Sequence, residues 1–427
     1  MPAIPPRPFI EIKPVERPID ATVKIPGSKS ITNRALLIAG LAEGKSELTG
    51  ALHSDDTAYM ADSLNKLGVS VETDLEGERF VVEGGGGTFS AKRADLFVGN
   101  AGTAMRFLTA ALPLGLGLYR IDGVPRMRQR PMAPLLTALR ELGANIQSEE
   151  GNGRAPIVVE ANGLPGGVCT MDGSLSSQFF SAVLLAAPGA RNGVQIIVEG
   201  DLVSKPYMSM TAAVMRDFGV EVVADDVNWK SFSVARDQHY RGRDYAIEPD
   251  ASNASYFFAA AAVTGGRVRV NDLGKRSLQG DLGFVDVLAQ MGAEVTIADD
   301  YVEVIGPKDG KLTGVTVDMN AISDTAQTLV AIAPLADGPT TITGIHHARL
   351  KETDRVAAVV NELRKLGQAV DERPDGLTVT PKPVRPASVN TYDDHRMAMS
   401  FAILGLCANG VRILDPACVA KTFPDFF

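Results

Sequence analysis

LNKLGVSVE (64–72), LRELGANIQ (139–147), MRDFGVEVV (215–223), LAQMGAEVT (288–296) and LRKLGQAVD (363–371) are variants of one pattern. In each, a helical spacing of apolar residues runs into an apolar residue and a glycine, and a short apolar or β-branched stretch follows. The glycines, Gly68, Gly143, Gly219, Gly292 and Gly367, stand 75, 76, 73 and 75 residues apart. Glycine takes the left-handed conformation that ends a helix without steric cost, and the stretch after it reads as a strand.

A second series interleaves with the first. Small polar turns open very apolar helices at GSKSITNRALLIAGLA (27–42), GNAGTAMRFLTAALP (99–113), GSLSSQFFSAVLLAAP (173–188), DASNASYFFAAAAV (250–263), SDTAQTLVAIAPLA (323–336) and DDHRMAMSFAILGL (393–406). Their starts are 72, 74, 77, 73 and 70 residues apart. Helices apolar on nearly every side are expected to be buried, and Ser, Thr, Asn and Asp at their starts read as N-caps. The chain is therefore about six copies of a βαβα-type unit. A solenoid is the structural alternative, but solenoid repeats run to roughly 20–50 residues. One unit cannot bury its own apolar helix; three around a common core can, and six make two domains. PVERPID (14–20) and RGRDYAIEPD (241–250) fall where the chain would cross between halves. The expected division is a first domain of 25–245 and a second of 1–24 plus 246–427.

The composition fits this reading. Of 427 residues, 45% are hydrophobic and 22% charged, which excludes disordered, collagen-like and coiled-coil chains. Aromatics are 6%, so the core rests on Ala, Val, Leu and Ile. A net charge of −9 argues against duplex nucleic acid or an anionic membrane as partner. Cys169, Cys407 and Cys418 are widely spaced and odd in number, which points to a reducing cytoplasm. The start, MPAIPPRPFIEIKP, lacks a signal-peptide apolar run. Apolar runs such as Phe179 to Pro188 fall short of the ~20 residues of a membrane helix. No extended exposed apolar stripe is evident, so a monomer is expected.

Buried helices whose N-termini share a face make an anion site, because each end carries free N–H groups and a partial positive charge. Those starts hold Lys29, Ser30 and Arg34; Asn100, Gly102 and Thr103; Ser176, Ser177 and Gln178; Asp324; and Asp394, His395 and Arg396. Other loops are basic too: PRMRQRP (125–131) carries Arg126, Arg128 and Arg130, GDLVSKPY (200–207) carries Ser204, Lys205 and Tyr207, and HHARLKETDR (346–355) carries Arg349, Lys351, Glu352 and Arg355. Lys421 lies near the C-terminus. Singly, each has a plainer reading: a solvated arginine, a cap at Ser176–Gln178 or Asp324, a tail charge at Lys421. Jointly, an acidic protein that gathers Lys and Arg at helix starts is suited to a small polyanion. The five histidines, His53, His239, His346, His347 and His395, form no metal-ligand spacing. Asp55 and Asp56 read as helix caps ahead of a Mg²⁺ pair, and GGGG (84–87) lacks the Lys of a P-loop and reads as a loop.

Taken together, PGSKSITNRALL (26–37), GNAGTAMR (99–106), PRMRQRP, GSLSSQF (173–179), GDLVSKPY, DASNASYFFAAAA (250–262), LKETDR (350–355), YDDHRMAM (392–399) and AKTFPD (420–425) resemble the 5-enolpyruvylshikimate-3-phosphate synthase family over nearly the whole chain. The resemblance implies an inside-out α/β fold: two similar domains, each of three βαβαββ units with buried helices about a pseudo-threefold axis, and a substrate cleft between them. It implies transfer of the enolpyruvyl group of phosphoenolpyruvate to the 5-hydroxyl of shikimate-3-phosphate, releasing phosphate, with no cofactor and no metal. By resemblance, Lys29 serves both substrates. Ser30, Arg34, Ser176, Ser177, Gln178, Ser204, Tyr207, Asp324, His347 and Lys351 contact shikimate-3-phosphate. Asn100, Gly102, Arg130, Gln178, Glu352, Arg355, Asp394, Arg396 and Lys421 form the phosphoenolpyruvate site. The catalytic set it implies is Asp324 as base, Glu352 as acid, Lys29 and Lys421.

Departures from the family pattern are Phe107 where many members have Pro, and His347 and Asp393 where Asn is common. Phe107 lies one turn after Thr103, near the site that the inhibitor glyphosate also occupies, so an altered glyphosate response is expected. The chain stops soon after Lys421, from which a shortened last helix is expected. The nearest rival, the enolpyruvyl transferase acting on UDP-N-acetylglucosamine, usually has a reactive Cys in the loop that here reads GVPRMRQRP (123–131). A non-catalytic phosphometabolite-binding protein on the same scaffold would lack the acid and base, which are present.

Overall fold

The structure, a computed structural model, describes residues 8–225 and 227–427. The chain divides into two compact units, one of Gly27–Ile247 and one of Glu248–Phe427 with the N-terminal residues up to Pro26.

The first unit holds helices α1 (Lys29–Leu41), α2 (Asp55–Lys66), α3 (Gly102–Ala111), α4 (Ala133–Glu141), α5 (Ser177–Ala186) and α6 (Pro206–Asp217). The odd-numbered helices are those read as apolar all round. Every residue of α3 is buried, as is all of α1 but Ser30 and all of α5 but Gln178. They pack against one another, because no face of any of them is suited to water. Truncating a side chain here, such as Leu37→Ala, costs about 2–5 kcal/mol, since a close-packed core refills the space only partly. Three four-stranded sheets also belong to this unit. In one, Arg93–Phe97 runs parallel to Leu116–Asp122, which pairs antiparallel with Ile157–Asn162, and Asn145–Ser148 closes the edge. This is one βαβαββ unit. The third copy repeats the order, although its first post-glycine strand is only Val223–Ala224.

The second unit carries α7 (Ala251–Thr264), α8 (Phe284–Gln290), α9 (Ala326–Ile332), α10 (Arg355–Lys365) and α11 (His395–Gly405). Helices α7, α9 and α11 pack together, and all of α9 and α11 is buried. Two of its sheets have four strands and the third has three. In the last copy a short 3-10 helix, Pro416–Lys421, stands where the earlier copies carry the second helix.

The five glycines of the founding pattern adopt φ values of 90°, 88°, 92°, 106° and 86° at positions 68, 143, 219, 292 and 367. Each ends its helix in the left-handed conformation, as their spacing predicts. The caps are met in part: Ser28, Ser176, Asp250 and Asp394 accept backbone N–H groups in the first turns of α1, α5, α7 and α11. The cap positions of α3 and α9 are Ala101 and Thr325, and neither side chain caps.

The strands that flank the two crossings between the units each pair within their own unit. Asp20–Val23, ahead of α1, pairs parallel with Arg267–Asn271 of the second unit. Asp244–Ala246, ahead of α7, pairs parallel with Lys45–Thr49 of the first.

Candidate active site

In the second unit, Asp324 stands one residue before the cap position of α9, which frees its carboxylate. Oδ1 accepts from Lys351 Nζ at 2.5 Å and Arg355 Nη1 at 3.1 Å, and Oδ2 from Arg396 Nη2 at 2.8 Å. The reading of Asp324 as a mere cap is therefore corrected. Burial alone would raise its pKa, but Arg396, Lys351 and Arg355 outweigh burial and hold it well below the usual carboxylate range. Lys351 also donates to Ser323 Oγ at 3.1 Å, and that hydroxyl lies 3.0 Å from His347 Nε2. Burial above all, then Lys351 and His346, pushes His347 down to about 3. Its ring is neutral near pH 7. The adjacent His346 ring packs edge-on against it, with centroids 5.4 Å apart and planes at 81°.

Arg355 opens α10, which Asp354 caps through Ala357 N–H at 3.0 Å. Its guanidinium reaches Asp394 Oδ2 and Glu352 Oε2, both at 2.8 Å. Burial opposes the charge, but Asp394, Glu352 and Asp324 more than offset that and raise its pKa. Glu352 Oε1 lies 3.2 Å from Lys421 Nζ. Asp394 also caps α11, accepting from Arg396 N–H at 2.9 Å. The Arg396 side chain donates further to Ser252 Oγ at 3.1 Å and Tyr256 Oη at 3.3 Å on α7. The structure thus gathers Asp324, Glu352 and Asp394 with Lys351, Arg355, Arg396 and Lys421 into one interlocked cluster, next to His347.

The first unit is built differently. Lys29 opens α1 and lies 3.3 Å from Asp56. Asp55 and Asp56 were expected as caps; instead Ser54 precedes α2, and the Asp56 carboxylate faces Lys29. Arg34, one turn further along α1, is wholly enclosed. It donates to Thr211 Oγ1 at 2.8 Å, Ser30 O at 2.8 Å, Ser181 Oγ at 3.3 Å and Tyr207 O at 3.4 Å. Its carbon Cζ lies 5.2 Å from the Phe107 ring centroid and 5.9 Å from that of Tyr207. Burial lowers its pKa to about 10, with Tyr207 acting the other way. The Arg34 hydrogen bonds tie α1 to α5 and α6. Tyr207 N–H in turn donates to Ser204 O at 3.1 Å, and Ser204 is left-handed with φ 53°. At the start of α5, Ser176 Oγ accepts from Gln178 N–H at 3.3 Å, and Ser177 is buried beside it.

Arg130 donates to Asn100 O at 3.2 Å and Asn100 Oδ1 at 3.4 Å. A Cβ on Gly102 would lie 2.5 Å from Arg130 Nη2 and 2.6 Å from Arg106 Nη1. Gly102 is therefore the residue that lets two guanidinium groups reach the start of α3. Arg128 instead pairs with the buried Asp122, at 2.9 and 2.5 Å, and Arg126 bonds Gln129 on the surface. Of the three loop arginines, Arg130 is the one turned inward.

Several members of these clusters escaped the sequence reading. Ser181 and Thr211 hold Arg34, while Ser252 and Tyr256 hold Arg396. Hydroxyls inside otherwise apolar helices were the available signal, since such groups need buried partners. Burial pushes the thiols of Cys169 and Cys418 up to about 12 and that of Cys407 to about 11. All three are free. Among the described residues, no three His, Cys, Asp or Glu side chains gather as a metal site, and no helix is long and apolar enough to cross a membrane.

Residues 14–427 match the family of EPSP synthase (3-phosphoshikimate 1-carboxyvinyltransferase). A 3-phosphoshikimate 1-carboxyvinyltransferase of Trichormus variabilis is 52% identical over 418 residues, covering 98% of this chain and 97% of that protein. One from a Sulfurovum species is 49% identical over 421 residues, covering 98% and 97%. Among solved structures, EPSP synthase from Acinetobacter baumannii aligns with a TM-score of 0.80 at 26% identity, covering 97% of this chain and 96% of that one. The enolpyruvyl transferase NikO from Streptomyces tendae shares the fold, with a TM-score of 0.77 at 19% identity, covering 99% and 96%. With the repeat, the helix-start motifs and the interlocked charges agreeing with these matches, the chain belongs to the EPSP synthase family.

Proposed function

We propose that the protein transfers the enolpyruvyl group of phosphoenolpyruvate to the 5-hydroxyl of shikimate-3-phosphate, giving 5-enolpyruvylshikimate-3-phosphate and phosphate. The observation that carries this reading is the cluster in which Asp324 and Glu352 stand among Lys351, Arg355, Arg396 and Lys421. The chemistry needs a proton delivered to the methylene carbon of the enol and a proton taken from the 5-hydroxyl. Glu352 is the proposed acid and Asp324 the proposed base. The 5-oxygen adds to the neighbouring cationic carbon, and the tetrahedral adduct then loses a proton and phosphate. Each such positioned group contributes roughly 100- to 10,000-fold.

The ion pairs suggest how substrates arm these groups. With its cations in place, Asp324 is held ionised and is a weak base. An anionic substrate that engages Lys351 and the arginines shares their charge, and Asp324 then accepts a proton more readily. The same exchange at Arg355 and Lys421 lets Glu352 hold a proton to give. We assign Arg355, Arg396, Lys421, Asp394, Asn100, Gly102 and Arg130 to phosphoenolpyruvate, with Gln178 and Lys29 shared. Ser30, Ser176, Ser177, Ser204, Tyr207, His347 and Lys351 are assigned to shikimate-3-phosphate. Arg34, which also bonds Ser181 and the Tyr207 carbonyl, is assigned to shikimate-3-phosphate too.

The test is phosphate release from phosphoenolpyruvate with shikimate-3-phosphate in EDTA, with UDP-N-acetylglucosamine as parallel acceptor. Release that requires shikimate-3-phosphate and survives EDTA is expected. Release with the nucleotide sugar alone would reassign the acceptor. We further propose a monomer working in the cytoplasm, supported by the three free cysteines and checked by sedimentation and cell fractionation. Phe107, packed 5.2 Å from the Arg34 guanidinium carbon, is proposed to alter the response to glyphosate. An inhibition curve for Phe107→Pro that overlays the parent would reject that.

A further inference from the structure

We propose that Glu362 is a positioning residue for the reaction, pinning a strained turn that aims Asp394 and Arg396. The inference rests on the reading of Arg355 and Arg396 as phosphoenolpyruvate ligands. Glu362 lies on α10 two turns after Arg355, on the same face. Its side chain is fully buried, which is rare for Glu unless it is partnered. Oε1 accepts from Tyr392 Oη at 2.6 Å and Oε2 from Asn390 N–H at 3.1 Å, while Lys365 Nζ donates to both oxygens at 2.8 and 2.9 Å. Burial first, then Glu362, pushes the Tyr392 hydroxyl up to about 12, so it remains a donor.

The turn that Glu362 grips is unusual. Tyr392 and Asp393 both take left-handed backbone, with φ 56° and 55°. Two consecutive non-glycine residues in that region persist only where the surroundings over-determine them. Asp394 N–H closes the turn on Thr391 O at 2.9 Å. The next residues are Asp394, which takes Arg355, and Arg396, which takes Asp324. Helix α10 therefore holds the 390–394 segment at two points: Glu362 at Asn390 and Tyr392, and Arg355 at Asp394. When the first grip is removed, the turn relaxes, and the Asp394 carboxylate and the start of α11 move from Arg355 and Asp324.

The test compares Tyr392→Phe and Glu362→Gln with the parent, each also combined with Asp393→Gly. The single variants are expected to raise the KM for phosphoenolpyruvate about 2- to 12-fold, the worth of one net hydrogen bond, with the KM for shikimate-3-phosphate unchanged. Asp393→Gly is expected to restore the KM, because glycine holds φ > 0 without the grip. A residue that merely stabilised the fold would shift Tm without this selective, glycine-rescued change. An unchanged KM for phosphoenolpyruvate in both single variants, or equal rises for both substrates that Asp393→Gly does not rescue, overturns the proposal. Arg396→Lys separates the two layers. If it leaves the KM for phosphoenolpyruvate unchanged, the ligand reading beneath the proposal falls; if it raises that KM while Tyr392→Phe does not, only the role of Glu362 falls.

Discussion

Apart from Lys29, which meets Asp56, the two units bury their cations near helix starts in opposite ways. In the second, Arg355 meets Asp394, Glu352 and Asp324, and Arg396 meets Asp324. In the first, Arg34 is equally enclosed, yet its hydrogen bonds go to two hydroxyls and two carbonyls, with aromatic rings flanking it. Neutral acceptors satisfy the donors of a guanidinium without cancelling its charge. The ion pairs of the second unit set carboxylates against its cations; the neutral acceptors of the first leave the charge of Arg34 uncancelled. One repeat geometry thus supports two electrostatic designs, and the choice lies in whether a carboxylate or a hydroxyl faces the cation.

The sharpest way to break this contrast is to neutralise the carboxylates proposed to act in chemistry. Asp324→Asn is expected to lower turnover roughly 100- to 10,000-fold, with both substrates still binding; steady-state kinetics with separate binding titrations check it. Glu352→Gln is expected to act on the same scale, and turnover equal to the parent would remove it from the mechanism.

Stability should separate the units next. Arg355→Met leaves the buried Asp394 without its cation and Glu352 with Lys421 alone, and should cost about 3–5 kcal/mol. Arg34→Met leaves only neutral groups, and Ser181 and Thr211 still bond each other at 2.8 Å, so about 1–3 kcal/mol is expected. Denaturant titration of both variants decides; equal losses would erase the contrast. The smallest effect concerns His347. Its folded pKa of about 3 lies below its ordinary value, so between those values the unfolded chain binds the extra proton and stability rises with pH. His347→Asn is expected to flatten that rise. Denaturation midpoints between pH 4.5 and 6.5 measure it in a window above the range where Asp324, also depressed, contributes.

The repeat was legible because its marks are local. A helix must end, and Gly68, Gly143, Gly219, Gly292 and Gly367 end it in the same conformation. The starts of the buried helices were legible for the same reason. The direction of a long side chain was not. Arg34 and Arg130 both read as ligands, and nothing local in sequence shows that Arg34 also bonds Thr211 and Ser181. Asp56 read as a cap because nothing nearby in sequence points to Lys29. Glu362 lies in an amphipathic helix, where an acidic residue ordinarily marks the solvent face. Its burial depends on Tyr392, thirty positions away. Which strands pair was also hidden, since pairing partners leave no mark on the strands themselves.

The pairing of the N-terminal strands bears on synthesis. Strand Asp20–Val23 emerges early but pairs with Arg267–Asn271, and Phe9–Glu11 pairs with Val411–Leu414. The bonds from Arg267 to Asp20 and from Arg412 to Glu11 span 247 and 401 residues. As the ribosome moves along the message, the first unit can close once Asp244–Ala246 has been made, while Asp20–Val23 waits for Arg267–Asn271 and Phe9–Glu11 waits until nearly the whole chain is out. Such late, long-range pairing is slow and leaves strand edges open to aggregation. The half of the molecule with the richest ion-pair cluster is therefore the half that depends most on protection while it is being born.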